Sequence, residues 1–333
     1  MPAGKKPSTS PARAPTERLH RRVLLNADTT IRLACGDYEA HIAPAAGARL
    51  TCLRWHGGGA PLDCVVPWRA VGDFDADHWP KAGAFPMLPY SNRLQGACFE
   101  WAGQQVQLAH APQQPHGLHG FGHRVGWRVV SAQPHALELQ MDHPAPDDEW
   151  PWKFVACIRY AVSAAGFHVE ISVKNVDDSA MPAALGWHPF IPMPSRAAGI
   201  AQAPTVMARR LHDVGLDGLG RTPLASAEPL LRRFAVPSHR PHTSAYMLWN
   251  GVCSMPLDAQ HQASLRSANS AHLLVHVPPR LDYWCAEPLT ALPGALLSYT
   301  PAQRAAHLAL PPGATRRMDC TLGIEPLATL PTQ

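Results

Sequence analysis

The sequence predicts an all-β chain, folded as one large antiparallel β-sandwich with few and short helices. Three observations predict it. Charged residues are only 16% of the 333, while prolines number 35, which favours short strands and rigid turns over long solvated helices. Apolar and polar residues alternate along several stretches, the period of a half-buried strand. No stretch carries the apolar spacing of a long amphipathic helix.

Taken in order, residues 1–25 are rich in Pro, Ala, Lys, Ser and Arg and read as a disordered basic tail ahead of one domain over residues 26–330. Arg21-Arg22-Val23-Leu24-Leu25 begins like a twin-arginine signal. The polar residues 26–30 end its apolar run, so no signal peptide is expected. A strand over residues 30–34 turns at Gly36-Asp37 into a second over residues 38–42, and Pro44 to Gly47 turn the chain into a third over residues 49–53. Residues 56–92 read as irregular and loop-like. Leu137, Leu139 and Met141 share one strand face, as do Phe154, Ala156, Ile158, Tyr160 and Val162, and then Phe167, Val169, Ile171 and Val173. Turn signals at residues 133–135, 163–166 and 175–179 separate them, so residues 127–185 read as an antiparallel meander with one solvated face. Residues 271–277 and 307–310 look like further strands. No Gly/Ser linker divides the body.

Composition narrows the function. The net charge is +4, and Lys5, Lys6, Arg13, Arg18, Arg21 and Arg22 concentrate it in the tail. The nearly neutral body calls for neither nucleic acid nor an anionic membrane as partner. There is no apolar run of about 18 residues, the length that would suggest a membrane span. Eight scattered cysteines, none in a CxxC pair, argue against a zinc or iron–sulfur site and suggest reduced thiols in a cytoplasm.

Three segments carry chemistry, and a fourth feature joins them. In Phe85-Pro86-Met87-Leu88-Pro89-Tyr90-Ser91-Asn92-Arg93, two prolines stiffen a loop that delivers an amide and a guanidinium, groups suited either to a polyhydroxyl ligand or to stapling the loop. His116, His119 and His123 lie in a glycine-rich stretch at a spacing that matches no zinc pattern, and His119, between Leu118 and Gly120, is the functional candidate. Glu287 ends the apolar run Tyr283-Trp284-Cys285-Ala286, and reads either as a carboxylate made a stronger base by desolvation or as one paired with an Arg or bonded by backbone amides. His188, in Gly186-Trp187-His188-Pro189-Phe190, is an imidazole in an apolar setting, which reads either as a proton donor or as a core histidine bonded to a carbonyl.

Together, Pro89-Tyr90-Ser91-Asn92-Arg93, Leu118-His119-Gly120, Gly186-Trp187-His188-Pro189-Phe190 and Ala286-Glu287-Pro288 resemble the aldose 1-epimerase (galactose mutarotase-like) family. Each piece is weak alone; all four in the family's order are specific. Softer similarity covers most of residues 30–325. The resemblance implies a large antiparallel β-supersandwich with a sugar cleft. It places Glu287 on the family's catalytic base and His188 on its acid. His119 and Arg93 fall on residues that position or polarise the sugar, with Asn92 beside the Arg. The implied reaction interconverts the α and β anomers of a free aldose by ring opening and closure, with a monosaccharide as substrate and neither cofactor nor metal. A monomer or homodimer is expected. Trp187, Trp249 and Trp284 are candidates for stacking on the sugar.

One position departs from the family. Aligned on Trp249 and Gly251, Thr243 stands where members often carry an Asp that binds a sugar hydroxyl. That puts the usual hexose preference in doubt more than the proton chemistry. Two further readings stay open: a hexose-phosphate 1-epimerase, for which Arg93, Arg124 and Arg280 are available, and a non-catalytic sugar-binding or sensor protein on the same fold.

Overall fold

The computed structural model describes residues 23–25, 29–68, 72–110, 115–194, 204–215, 222–224, 230–237, 240–280 and 282–327. Among them, two large antiparallel sheets carry the architecture. The outer sheet contains the expected meander: Arg128–Gln133, Ala136–His143, Phe154–Ser163 and Gly166–Asn175 pair in succession. It continues through Thr315–Pro326, His261–Arg266, Val252–Pro256, Thr205–Ala208 and Arg232–Ala235. The second sheet, which carries the cleft, runs from Arg210–Asp213 through His242–Met247, His272–Val277, Tyr283–Leu289, Gly186–Pro192 and Ala84–Met87. Arg49–Trp55, Tyr38–Ala43 and Ile31–Cys35 complete it.

The sheets differ in burial, and the difference follows from what covers them. Phe154–Ser163 alternates buried and partly exposed residues along its length, because one face meets the other sheet and the opposite face meets water. In Gly186–Pro192 every residue but the last is buried, and in His242–Met247 all six are, because both faces are covered. One face meets the outer sheet, where the rings of Trp187 and Phe167 stack at 6.3 Å. Across the same interior the Tyr160 hydroxyl donates to the Ala48 carbonyl at 2.6 Å, satisfying a phenol that burial would otherwise make costly. The other face carries the cleft.

Two expectations are corrected. Residues 56–92 are not all loop: Ala84–Met87 is a strand within the cleft sheet, pairing with both Gly186–Pro192 and Arg49–Trp55. Its four residues are all buried, so no alternation marks it. Residues 307–310 are not one strand. His307 closes the helix Pro301–His307, capped by Thr300 and Gln303 in a reciprocal box, and only Ala309–Leu310 pair. Residues 1–22 of the expected tail lie outside the described residues, and Val23–Leu25 pair with Gly72–Phe74.

All eight cysteines are described and none forms a disulfide. Among the described residues no helix is long and apolar enough to cross a membrane.

Candidate active site

Strand register assembles the site. Leu274 pairs with Glu287, and His188 with Phe85. The pairs Gly186–Leu289 and Phe190–Cys285 bracket His188 and Glu287, which therefore face each other across the ladder. One row across the sheet thus reads Leu274, Glu287, His188, Phe85. Two residues along, the neighbouring row reads Thr243, His276, Cys285, Phe190. Side chains two apart on a strand share a face, so both rows look into one cleft of about 140 Å³. Trp187, one residue from His188, necessarily faces the opposite way.

At the cleft floor His188 Nε2 lies 3.3 Å from Glu287 Oε1. Both side chains are buried, Glu287 to 2% exposure. Burial raises the carboxyl of Glu287 to about 8. It pushes His188 well below its ordinary value, and the neighbouring His119, Lys81, His276 and Arg49 push in the same direction. The His188 ring stacks on Phe85 at 4.5 Å and on Phe190 at 4.7 Å, which fixes its aim. The apolar frame is therefore Phe85 and Phe190 rather than Trp187 and Pro189. Glu287 Oε2 is buried without a protein partner, a costly state that a donor on a ligand in the cleft would relieve.

The two loops above the floor are tied to each other. The Asn92 N–H donates to His119 Nδ1 at 3.1 Å, and the His119 N–H donates to the Asn92 carbonyl at 3.0 Å. Both residues hold positive φ, 57° and 59°, a conformation that costs non-glycine residues energy and persists where surrounding bonds impose it. Because Nδ1 accepts, neutral His119 carries its proton on Nε2 as a donor. Burial, with Lys81 and Arg93, keeps it neutral by holding its pKa well below the ordinary value. Arg93 is placed by pairing with Leu118. Gly120 allows the close approach: a Cβ there would sit 1.9 Å from the Leu88 carbonyl oxygen.

All six residues singled out by sequence, Glu287, His188, Arg93, His119, Asn92 and Thr243, line this one cleft. Thr243 Oγ1 and His276 Nδ1 are hydrogen-bonded at 2.8 Å across adjacent strands. Other expectations differ. Trp187, Trp249 and Trp284 are buried away from the cleft, and the indole lining it is Trp79. Arg124 is turned to Glu149 at 3.4 Å and Asp77 at 3.8 Å, and Arg280 does not line the cleft. His116 staples its loop, accepting the Gly96 N–H at 3.1 Å. His123 instead packs as an aromatic, stacked on Phe85 at 4.9 Å with neither nitrogen hydrogen-bonded to protein.

Sequence reasoning missed Lys81, His276, Tyr283 and Cys285, which also line the cleft. Lys81 lay in the stretch read as loop. His276 had a signal, a polar residue alternating in the apolar run 272–277. Arg49 was missed too: it is fully buried beneath the floor, its guanidinium 4.7 Å from the Phe85 ring centre, donating to the Ala82 carbonyl at 3.0 Å.

His188, Cys285 and Glu287 each offer one ligand-type atom within 4.8 Å of the others. A divalent cation would meet the positive field of Lys81 and Arg93 there. It would also meet a thiol that burial, and then Glu287, hold well above its ordinary range and so protonated.

The aldose 1-epimerase family model matches residues 29–252 of the chain. The chain belongs to the aldose 1-epimerase family. The matched span includes His188, Asn92, Arg93, His119 and Thr243. Glu287 lies beyond it and is joined to them by the sheet. The uncharacterized protein YphB of Escherichia coli (strain K12) is 24% identical over 265 residues, covering 73% of this chain and 84% of YphB. The fold matches a galactose mutarotase-like protein from Clostridium acetobutylicum at TM-score 0.67 and 17% identity, covering 90% of this chain and 95% of that one. It also matches a galactose mutarotase-like protein from Lactobacillus casei at TM-score 0.65 and 17% identity, covering 89% and 100%.

Proposed function

We propose that this member of the aldose 1-epimerase family interconverts the α and β anomers of a monosaccharide, with Glu287 and His188 as its acid–base pair. The observation that carries the reading is the buried contact of 3.3 Å between them at the floor of an open cleft. Ring opening needs a proton taken from the C1 hydroxyl and a proton given to the ring oxygen. Glu287 takes the first and His188 gives the second. The C1–O5 bond breaks and leaves an open-chain aldehyde. Rotation about C1–C2 presents the other carbonyl face, and closure runs both transfers backwards with the roles exchanged.

The electrostatics of the pair agree with this. A neutral carboxyl beside a neutral imidazole carries the same proton count as a carboxylate beside an imidazolium. The two forms differ by one proton moved between neighbours. The pair therefore titrates as a unit, and its singly protonated state holds both the base and the acid. His119 Nε2–H and the Arg93 guanidinium supply donors for sugar oxygens, with Asn92 beside them and Thr243 lining the same cleft. No cofactor enters these steps.

Polarimetry of freshly dissolved α-anomers tests the reading. The wild-type chain should speed relaxation, and Glu287→Gln or His188→Asn should each remove about 10²–10⁴-fold of the enzymatic rate. A chain that binds sugar yet leaves every spontaneous rate unchanged would make the non-catalytic reading correct.

A further inference from the structure

We propose that the cleft selects monosaccharides bearing an anionic group, a carboxylate or a phosphate ester, and that Lys81 and Arg93 hold that group with Thr243 and His276 beside them. The proposal rests on the epimerase reading for the site's chemistry. The charges and hydrogen-bonding groups of the cleft walls carry it independently.

Glu287 is the one carboxylate among the described residues lining the cleft, and it sits at the floor against His188. Against it stand two side-chain cations, Lys81 and Arg93. Neither is ion-paired with a carboxylate among the described residues, whereas Arg124 nearby has two acidic partners. The Lys81 ammonium instead lies 4.9 Å from the Trp79 ring centre.

The hydrogen-bond balance points the same way. A neutral sugar presents hydroxyls that need acceptors as well as donors. Away from Glu287 at the floor, the acceptors that Asn92 and His119 bring to the walls are already engaged. Asn92 Oδ1 takes the Arg93 N–H at 2.6 Å, and His119 Nδ1 takes the Asn92 N–H. Thr243 and His276 spend one group each on one another. What remains facing the cleft is donor-rich: the Lys81 ammonium, the Arg93 guanidinium, the Asn92 amide, the His119 Nε2–H and the Tyr283 hydroxyl. Such a surface complements an oxyanion, which offers acceptors only. An Asp at position 243 would have brought a second carboxylate into the same wall. Thr243 leaves the positive field uncancelled.

Anomer exchange measured by NMR on D-glucuronate, D-glucose 6-phosphate and D-glucose, at low and high salt, tests this. At least one anionic sugar should exceed glucose in kcat/KM by tenfold or more, and added salt should erode that advantage. The uronate and phosphate arms tell which oxyanion is preferred. Lys81→Met should shrink the anionic-to-neutral ratio at least tenfold through KM, and Thr243→Asp should shift the ratio toward glucose. Glucose turned over as well as both anions, or a ratio indifferent to salt and to Lys81→Met, would overturn the proposal while leaving the epimerase reading intact. Binding of the same sugars to Glu287→Gln, followed by NMR titration, separates the other case. Tighter binding of an anionic sugar by a protein whose wild type epimerises nothing would uphold the anion site and sink the catalytic reading.

Discussion

Glu287 holds a proton in the folded chain over a pH range where the unfolded chain has released it. Its folded value of about 8 stands above the ordinary carboxyl value of 4.5, and burial is the cause. Below pH 4.5 both states are protonated and the full stability is present. Between the two values only the folded state binds the proton, so stability falls as pH rises, by at most about 1.4 kcal/mol per unit. Glu287→Gln lacks this slope. Urea midpoints of the two proteins should therefore diverge in the variant's favour between pH 5 and pH 8, and parallel curves would mean that Glu287 is ionised in the fold. Activity should show the same group from the other side. The alkaline limb of kcat/KM should lie near pH 8, where the pair gives up its one proton. At His119 the backbone is the constraint, since φ is 59°. His119→Asn, which tolerates that conformation, should keep the fold and lose activity about 10–100-fold, whereas His119→Val should lose stability as well, read by thermal melting.

At the scale of the element, Ala84–Met87 decides whether the site exists. It supplies Phe85 beside His188, and Gly83 allows the chain to enter it. A Cβ on Gly83 would fall 1.9 Å from the Leu50 carbonyl oxygen, with φ at +68°. Gly103 also has positive φ, +78°, but open space around it. Gly83→Ala should thus cost about 3 kcal/mol or more by chemical denaturation, and Gly103→Ala about 1 kcal/mol, the conformational strain alone. The same strand explains what was legible in the sequence. The strands from 136 to 175 announced themselves because water covers one of their faces and enforces alternation. Ala84–Met87 and His242–Met247 are covered on both faces, and their uniform burial leaves no period to read. Among the site residues, Glu287, His188, His119, Asn92 and Arg93 were legible through short motifs with family counterparts. Lys81 and His276 belong to no such motif. Their relevance arises from pairing between strands far apart in the chain, which a linear reading does not display.

At the scale of the whole molecule, the two large sheets among the described residues enclose an interior, and the proposed site sits on the outer face of one of them. Cys64, Cys253, Cys285 and Cys320 are buried, and burial holds each of their thiols above its ordinary range. The other four cysteines are partly exposed. A thiol reagent should accordingly modify no more than four cysteines quickly in the native protein and all eight after denaturation. Rapid native modification of Cys285 would mean that the floor of the cleft opens. The arrangement as a whole converges on one contact, the buried pair of His188 and Glu287. The most direct measurement of what that contact does is saturation transfer between the α and β anomeric proton signals of a sugar panel containing neutral, uronate and phosphorylated members. The account predicts transfer above the spontaneous rate for at least one sugar with the wild-type chain, reduced by about 10²–10⁴-fold in both Glu287→Gln and His188→Asn. Transfer that survives unchanged in both variants would contradict it.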